Sequence, residues 1–337
     1  MTRSSNLAVL AATFCIAGTI EASAAKFEAR LAHTNAPTHA SHIGLVKAAE
    51  LIKQRTNGDV VITVYPSAQL GGARESIEGV QLGTIQIVNT TTAWASGFNP
   101  LVSVLDIPYL LPSSRDASRK LLDGKFGEGV LDTFRKGGFE ALALWPGPRK
   151  IFTSNKPLTD LKAFAGQRIR IADSKILAEQ IKALGAIPVV VPFGEVYTAL
   201  QTGVIDGQEN PPDAVRSMKF FEVQKHIAQT DHGTMIEVNF VNPRWFNSLP
   251  KNYQTIVKDT FAEIAPQAEE SRLSDSRAAL ETFKKSGLNV RTVDEAERAR
   301  LRAVVYPAAR DAYISTAGAG AKGIIELYEK ELERVSN

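Results

Sequence analysis

The sequence predicts an α/β protein of two similar lobes, each a mainly parallel sheet flanked by helices. Strand and helix patterns alternate twice in the same order along the chain. The segments 80–86 (VQLGTIQ) and 200–206 (LQTGVID) share a helix end, a glycine and a strand start, which indicates an internal repeat. The 337 residues, 44% of them hydrophobic, suffice for two domains with real cores.

The first copy opens with the alternating strand pattern FEARLA (27–32), followed by helical spacing of apolar residues that ends at Gly58. Its later elements are a strand, a short helix closed by Gly83 and a third strand: VVITVYP (60–66), SIEGVQLG (76–83) and TIQIV (84–88). In sheets of this kind, ligands bind beyond the carboxyl ends of the strands. Two facing lobes would therefore share one cleft.

The second copy repeats this order, with Asp173 or Ser174 as the N-cap of its first helix. Its elements are GQRIRI (166–171), SKILAEQIKALG (174–185), AIPVVVP (186–192), EVYTALQTG (195–203) and VIDGQ (204–208). The segment TDHGTMIEVNFV (230–241) has strand character and is expected to cross back between the lobes. From about Tyr253 the chain is mostly helical and charged.

The N-terminus predicts a secretory signal: Arg3, the apolar run 7–20, and small residues ending at Ala25. The run is shorter than the ~20 apolar residues of a membrane span, so cleavage after Ala24 or Ala25 is expected. The single cysteine, Cys15, lies inside this signal. The mature chain would thus contain no disulfide, cysteine nucleophile or thiolate metal site. These features favour a soluble periplasmic protein that is not itself embedded in a membrane.

Composition and motifs exclude several classes of function. The 39 basic and 36 acidic residues give a net charge of +3 and are spread along the chain, which argues against a nucleic-acid partner. His33, His39 and His42 match no trusted metal-ligand spacing, and the chain carries no GxSxG, HExxH or P-loop motif. Asp206 and Glu209 are close in sequence, which is weak evidence for acid–base work. The sequence predicts no catalytic residue, metal or cofactor.

Two arginines are candidates for binding an anion. RIRI (168–171) places Arg168 and Arg170 on the same side of a strand, and Arg170 is nearer its carboxyl end. A guanidinium can grip a carboxylate with two parallel hydrogen bonds. The alternative for Arg170 is a surface ion pair. Arg149, before another strand-like run, leaves the same two possibilities open.

Three segments resemble the substrate-binding proteins of tripartite ATP-independent periplasmic (TRAP) transporters, the DctP family: 56–71 (TNGDVVITVYPSAQLG), 147–171 (GPRKIFTSNKPLTDLKAFAGQRIRI) and 195–211 (EVYTALQTGVIDGQENP). The resemblance covers nearly the whole mature chain. It implies a two-lobed periplasmic binding protein, type II-like, whose lobes are joined by crossover hinge strands and a long helix. It further implies a monomer that captures a small organic acid and delivers it to a permease of small and large membrane subunits.

With this fold the chain divides into a signal peptide and three further parts. The expected bounds are 1–25 for the signal peptide, 26–146 plus about 236–276 for lobe I, 147–235 plus about 277–305 for lobe II, and 306–337 for the C-terminal helices.

The resemblance also implies the ligand contacts. Arg170 matches the arginine that forms the principal salt bridge to the ligand carboxylate, Arg149 matches a second arginine, and Asn210 matches an asparagine on the same carboxylate. Phe193 matches a wall of the pocket. Three first-lobe residues, matched less securely, are expected to supply specificity contacts: Asn35, Glu75 and Trp94.

One departure from the family bears on the ligand. The sialic-acid binders carry an arginine near the position of Trp94, so sialate is disfavoured. An indole there favours stacking on a sugar acid or aromatic acid, or a smaller pocket, or a place in the core. C4-dicarboxylates, sugar acids, 2-oxo or hydroxy acids and aromatic acids all remain open. The alternatives to a transport protein are a secreted enzyme using Glu75 or Asp206, and a binding protein that feeds a sensor kinase.

Overall fold

The computed structural model describes residues 25–336. The predicted signal peptide, with Cys15, lies outside the described residues except for Ala25. The strands are β1 (Phe27–Ala32), β2 (Val60–Tyr65), β3 (Ile87–Thr91), β4 (Glu140–Arg149), β5 (Ile151–Ser154), β6 (Arg168–Ile171), β7 (Ile187–Val190), β8 (Gly207–Asn210), β9 (His226–Gln229), β10 (Thr234–Val241) and β11 (Asn289–Thr292).

The helices are α1 (Ala40–Arg55), α2 (Ala73–Leu82), α3 (Thr92–Ala95), α4 (Arg115–Leu122), α5 (Lys125–Asp132), α6 (Lys175–Ala183), α7 (Val196–Gln201), α8 (Pro212–Ser217), α9 (Pro243–Ser248), α10 (Lys251–Lys285), α11 (Glu295–Thr316) and α12 (Ala321–Ser336). Short 3₁₀ turns lie at Pro100–Asp106, Thr133–Gly137, Leu161–Phe164, Phe193–Glu195 and Phe220–Val223. Within residues 25–336, none of the helices combines the length and apolar character needed to cross a membrane.

The strands form two sheets, which confirms the predicted two-lobed α/β fold. The first sheet has the order β2-β1-β3-β10-β4, and the second has the order β11-β9-β5-β8-β6-β7. Both sheets are mixed. β10 runs antiparallel to β3 and β4, and β5 runs antiparallel to β8 and β9. The remaining pairs are parallel, as the helix-connected repeat predicts.

The chain crosses between the sheets at two adjacent points, and again through α10 between β10 and β11. β4 passes into β5 at Lys150, and β9 passes into β10 through the residues up to Gly233. The Lys150 N–H donates to the Gly233 carbonyl at 2.8 Å, which joins the two crossings. The 35-residue helix α10 packs on α1 and β4 beside the first sheet and on α8 beside the second. The predicted crossover strands and long helix are thus present, while the lobe boundaries remain predictions.

The internal repeat extends to backbone conformation. Gly83 and Gly203 follow α2 and α7 and adopt left-handed φ values of 83° and 71°, which glycine tolerates best. Behind each, a backbone N–H returns to the preceding helix, from Ile85 to Gly79 and from Ile205 to Ala199. These turns occupy the first residues of the segments predicted as strands. β3 and β8 consequently begin at residues 87 and 207 rather than 84 and 204.

Alternating side chains place an apolar core on each face of both sheets. In β10, Phe240 and Val241 enter different clusters on opposite faces of the first sheet. In β5, Ile151 and Phe152 do the same in the second sheet. Trp94 packs against a cluster of each sheet. Between the sheets the chain places charged and polar side chains together with apolar ones.

Candidate functional site

A cavity lies between the two sheets and is lined from both. Five of the seven predicted binding residues line it: Asn35, Trp94, Arg170, Phe193 and Asn210. The other two, Glu75 and Arg149, do not belong to its lining. The cavity occupies the position expected for a ligand site, beyond the carboxyl ends of parallel strands.

Arg170 is the third residue of β6 and is only 3% exposed. Its Nε donates to the Val191 carbonyl at 2.9 Å, and its Cζ lies 5.7 Å from the centre of the Phe193 ring. Its Nη2 is buried and has no hydrogen-bond partner among the described residues. Burial lowers the pKa of Arg170 to about 10, against the opposing charge of Glu209, so the guanidinium remains cationic at neutral pH. An open donor of this kind favours an anionic ligand.

Asn210 ends β8, a central strand whose four residues, GQEN, are all buried. Its Nδ2 donates to Gln208 Oε1, and Gln208 Nε2 donates to Thr153 Oγ1 at 2.9 Å. Polar side chains fill this strand because each finds a partner, which buried polar groups require. A Cβ on Gly207 would lie 2.2 Å from the Thr153 carbonyl oxygen, so glycine permits the close approach of β5.

Glu209 links the second sheet to both crossings between the sheets. Lys150 Nζ and His232 Nε2 lie 2.9 and 2.7 Å from its two carboxylate oxygens, and Gln180 Nε2 donates to it at 2.9 Å. Burial alone would raise the pKa of Glu209, but the charge of Lys150 and the hydrogen bond from His232 hold that pKa well below its usual range. Glu209 is therefore ionised at neutral pH and provides the counter-charge for the buried ammonium group of Lys150.

We expect Glu209→Gln to lower the free energy of unfolding at pH 7, since it leaves Lys150 buried without a counter-charge. The folded pKa of Glu209 is depressed, so the stability it contributes is fully present above its unfolded pKa and is lost as the pH falls below it. The difference in the free energy of unfolding between the unmodified protein and the variant should therefore decrease as the pH falls from about 5 to about 2. Urea unfolding at several pH values measures this difference in free energy.

Glu179→Gln is the control for this pH dependence, because Glu179 lies on α6 with a side chain that is 41% exposed. Its effect on unfolding should be small at every pH. If Glu209→Gln lowers the free energy of unfolding equally at pH 7 and pH 2.5, the assignment of an ionised, stabilising carboxylate is contradicted.

A second charged cluster forms the wall of the cavity on the side of the first sheet. Arg272 Nε, on α10, lies 2.9 Å from Asp213 Oδ2, and its Nη1 lies 3.7 Å from Glu237 Oε1. Asn35 Nδ2 donates to Glu237 Oε1 at 3.0 Å, and His39 Nε2 lies 3.2 Å from Asp213 Oδ2. Burial opposes ionisation of Asp213, but the charge of Arg272 holds its pKa well below the usual range. The predicted residue Asn35 thus lies beside a compensated ion pair.

Asp106 lines the cavity at the seam of the two lobes. It accepts a hydrogen bond from Thr92 Oγ1 at 2.6 Å and another from Ser174 Oγ at 3.1 Å. Thr92 follows the first-sheet strand β3, while Ser174 is the N-cap of α6 beside the second sheet. Burial raises the pKa of Asp106 to about 6, partly opposed by the hydrogen bond from Thr92.

Trp94 and Phe193 supply aromatic surface from opposite lobes. The Phe193 ring packs edge-on against Phe220 at 5.7 Å between centroids and lies beside Arg170. Trp94 is half-buried, so it both packs on the cores and lines the cavity. The two possibilities left open for Trp94, pocket wall and core, are therefore combined in one side chain.

The structure places Arg149 away from the cavity. Its Nη2 donates to the carbonyls of Leu111 and Pro112, in a separate surface groove. The next residue, Lys150, lines the cavity in its place. The side chains of adjacent residues in an extended chain point in opposite directions. Arg149 therefore faces the groove, and Lys150, one position later, faces the cavity. Arg149 as a ligand contact stays a prediction that this geometry does not favour, since Lys150 is the one of the two that lines the cavity.

Glu75 is likewise away from the cavity. It lies exposed in the first turn of α2, with its side chain folded back over Gly71 and Gly72. Asp206, the other acid considered for an enzyme, forms ion pairs with Arg168 at 3.1 Å and Lys156 at 3.1 Å. Arg168 is thus the partly exposed ion-paired arginine of the RIRI strand, while Arg170 is the buried one.

The histidines separate into different environments. His33 Nε2 and His42 Nδ1 lie 3.0 Å apart, whereas His39 lies against Asp213. Burial lowers the pKa of His33 to about 3, so it is neutral near pH 7. Within residues 25–336, no group of three or more His, Cys, Asp or Glu side chains is arranged to hold a metal ion.

Sequence reasoning missed five charged residues of the cavity: Glu209, Lys150, Asp106, Arg272 and Glu237. For Glu209 the sequence offers only weak evidence of acid–base work, although Glu209 lies next to Asn210 in the segment 195–211. Lys150 was one position from a predicted residue. Asp106 and Arg272 had no signal in the sequence, because their partners are far away along the chain. Thr92 and Ser174 are 14 and 68 residues from Asp106, and Asp213 is 59 residues from Arg272. Pairings of that kind become visible only in the folded chain.

Comparison with known proteins places the chain in a family. Residues 31–316 match DctP, described as bacterial extracellular solute-binding protein, family 7. The C4-dicarboxylate-binding periplasmic protein DctP of Rhodobacter capsulatus is 36% identical over 262 residues, covering 77% of this chain and 78% of the relative.

Solved structures agree with the sequence match. A TRAP periplasmic solute-binding protein from Desulfovibrio salexigens, with bound orotic acid, is 47% identical, with a TM-score of 0.91 over 92% of this chain and 100% of that one. One from Shewanella oneidensis, with bound succinate, is 28% identical, with a TM-score of 0.84 over 91% of this chain and 100% of that one. The chain belongs to the DctP family and is a TRAP-type solute-binding protein.

Proposed function

We propose that the protein holds a small organic acid by its carboxylate in the cavity between the two sheets and delivers it to a TRAP permease of small and large membrane subunits. The observation that carries the proposal is Arg170, a buried cation whose Nη2 has no partner among the described residues. A buried charge is stable only when it is paired and hydrogen-bonded. A ligand carboxylate supplies that pairing.

The neighbours of Arg170 fit the same role. Asn210 presents an amide from the end of β8, and Phe193 covers one face of the guanidinium. Lys150, which replaces Arg149 in this proposal, is a second cation of the lining and is held by Glu209. A carboxylate on Arg170 thus meets donors from strand ends and from a crossing point between the lobes.

The relatives support this class of ligand. Orotic acid and succinate in the two solved structures, and the C4-dicarboxylates of the Rhodobacter capsulatus protein, all carry a carboxylate. Trp94 and Phe193 add two aromatic surfaces to the cavity, which suit a flat acid. Of the named ligands, orotic acid is the flat one.

Closure of the lobes follows from the placement of the site. The ligand touches residues of both sheets, so it favours the closed state by its greater affinity for that state. The crossings at Lys150 and Gly233 are the positions where the lobes would turn. Export to the periplasm, with removal of the signal after Ala24 or Ala25, completes the proposal.

A ligand screen by thermal unfolding tests the function. We expect the mature protein to be stabilised by at least one carboxylic acid among orotate, succinate, glucuronate and galacturonate, and not by the corresponding neutral amides. At a concentration of about 100 times Kd the stabilisation is about 2.7 kcal/mol. The midpoint should then rise by several degrees.

The screen has two informative failures. If no carboxylate raises the midpoint and neutral amides do, the carboxylate site is wrong. If the bound acid is recovered chemically altered after long incubation, the protein is an enzyme rather than a carrier. Uptake of the acid by cells that contain the permease subunits, with and without this protein, tests the delivery step.

A further inference from the structure

The charges around the cavity are not distributed evenly. Besides His39, its described lining contains three cations and three carboxylates: Lys150, Arg170 and Arg272, and Asp106, Glu209 and Glu237. Lys150 pairs with Glu209, and Arg272 pairs with Asp213 and approaches Glu237. Among the described lining residues, Arg170 is therefore the one arginine or lysine that no carboxylate pairs within salt-bridge distance.

Asp106 has the opposite charge to Arg170 and likewise forms no salt bridge among the described residues. No cation of the described chain lies within salt-bridge distance of its carboxylate, and its two hydrogen bonds come from the neutral hydroxyls of Thr92 and Ser174. A carboxylate offers about four lone-pair sites, so about two remain for a further donor. The residue is 9% exposed, and it lines the cavity. Asp106 is thus a nearly buried acceptor that can accept a further hydrogen bond from a ligand.

The two unbalanced groups are connected through Ser174, which bonds Asp106. Arg170 and Ser174, the residue that holds Asp106, are four positions apart, which is at most about 14 Å of extended chain. Both groups line one cavity, so a single small molecule can touch both. Their demands are opposite: Arg170 requires a negative group, and Asp106 requires a hydrogen-bond donor.

Building on the proposed function, we propose that the ligand carries one carboxylate, bound by Arg170, and an N–H or O–H donor, bound by Asp106, and that dicarboxylates are disfavoured. Lys150 and Arg272, the other two cations of the described lining, already have carboxylate partners. Arg272 Nη1 has no hydrogen-bond partner among the described residues, but it lies 3.7 Å from Glu237 Oε1, so a second carboxylate there would meet the charge of Glu237, and one placed elsewhere would meet that of Asp106. Like charges placed together in a site discriminate strongly against a ligand. Asp106 is thus a specificity-determining residue.

Titration calorimetry at pH 7.5 tests this with matched acids. Orotate carries one carboxylate and two ring N–H donors, 1-methylorotate and 3-methylorotate each lack one donor, and succinate has a second carboxylate in place of donors. We expect orotate to bind at least about 100-fold more tightly than succinate. One of the two methyl derivatives should bind about 10- to 100-fold more weakly than orotate, because Asp106 then loses its donor.

Asp106→Asn separates the residue from the rest of the cavity, since it keeps the size of the side chain but removes the charge. The ratio of orotate to succinate affinity should fall at least about tenfold in this variant. Asp116→Asn is the matched control, because Asp116 lies on α4 with a side chain that is 79% exposed, and it should leave the ratio unchanged. The methylated acids need no variant, so the test holds even if Asp106→Asn folds poorly.

The failures of the two proposals can be told apart. If succinate binds as tightly as orotate, or if Asp106→Asn leaves their ratio unchanged, the inference is wrong while the carboxylate site stands. Equal binding of orotate and both methyl derivatives would likewise overturn it. If no acid binds to the protein at all, the proposed function fails as well.

Discussion

Arg170→Ala should abolish measurable binding of every carboxylate that the protein accepts, while its midpoint of thermal unfolding without ligand stays near that of the unmodified protein. Removal of one partner from a buried charge pair in an interface weakens binding by about 2 to 5 kcal/mol. That corresponds to a loss of about 30-fold to several thousand-fold in affinity. Titration calorimetry with the acid identified by thermal screening gives the change.

Arg170→Lys sharpens this test, because it keeps the charge and removes the planar fork. The ammonium cannot form two parallel hydrogen bonds, and it cannot reach the Val191 carbonyl and the ligand together with the geometry of a guanidinium. Affinity should remain low. Arg168→Ala is the matched control on the same strand, since Arg168 is ion-paired with Asp206 rather than part of the cavity. Unimpaired binding by Arg170→Ala would remove the basis of the carboxylate site.

Arg272→Ala should have the largest effect on stability. Both members of the Arg272–Asp213 pair are 2% exposed, so the variant leaves Asp213 charged and buried. Breaking such a pair destabilises a protein by about 3 to 5 kcal/mol. Arg272 also packs on Gly147 of β4, where a Cβ would lie 2.2 Å from its Nη1. Denaturant unfolding monitored by circular dichroism measures the loss.

The same two helices provide the control for this prediction. Arg216 of α8 pairs with Asp275 of α10 at 2.9 Å, but these side chains are 33% and 40% exposed. An ion pair in water contributes about 0 to 1 kcal/mol, so Arg216→Ala should be nearly neutral. If the two variants unfold at the same denaturant concentration, burial is not what makes the Arg272 pair important.

The sequence predicted those features that depend on neighbours in the chain. The repeat around Gly83 and Gly203 was visible because a helix end, a left-handed glycine and a strand follow one another within a few residues. Arg170 was predicted from its place near the end of a strand, and Asn210 from the resemblance of the segment 195–211 to the DctP family. Their place in the cavity follows directly from the parallel arrangement of β6 and β8.

What the sequence could not provide was the direction of single side chains and the pairing of distant ones. Arg149 and Lys150 are adjacent cations, and only the register of β4 with β10 decides which of them faces the cavity. The strand starts at 84 and 204 were misplaced because apolar residues in a glycine turn look like strand residues. Asp106 remained hidden because its partners come from separate elements of the two lobes.

The position of Lys150 limits how this protein can be re-engineered. The same residue spans the crossing between the sheets, donates its backbone N–H to Gly233 and offers its ammonium group to Glu209. Its replacement would keep the backbone bond to Gly233 but would remove the counter-charge of Glu209 and a cation of the cavity lining at once, so these two properties cannot be tuned separately there. Asn35 and Trp94, by contrast, line the cavity from segments outside the crossing strands, although Asn35 donates a hydrogen bond to Glu237 of β10. Directed evolution toward new acids is best confined to that wall.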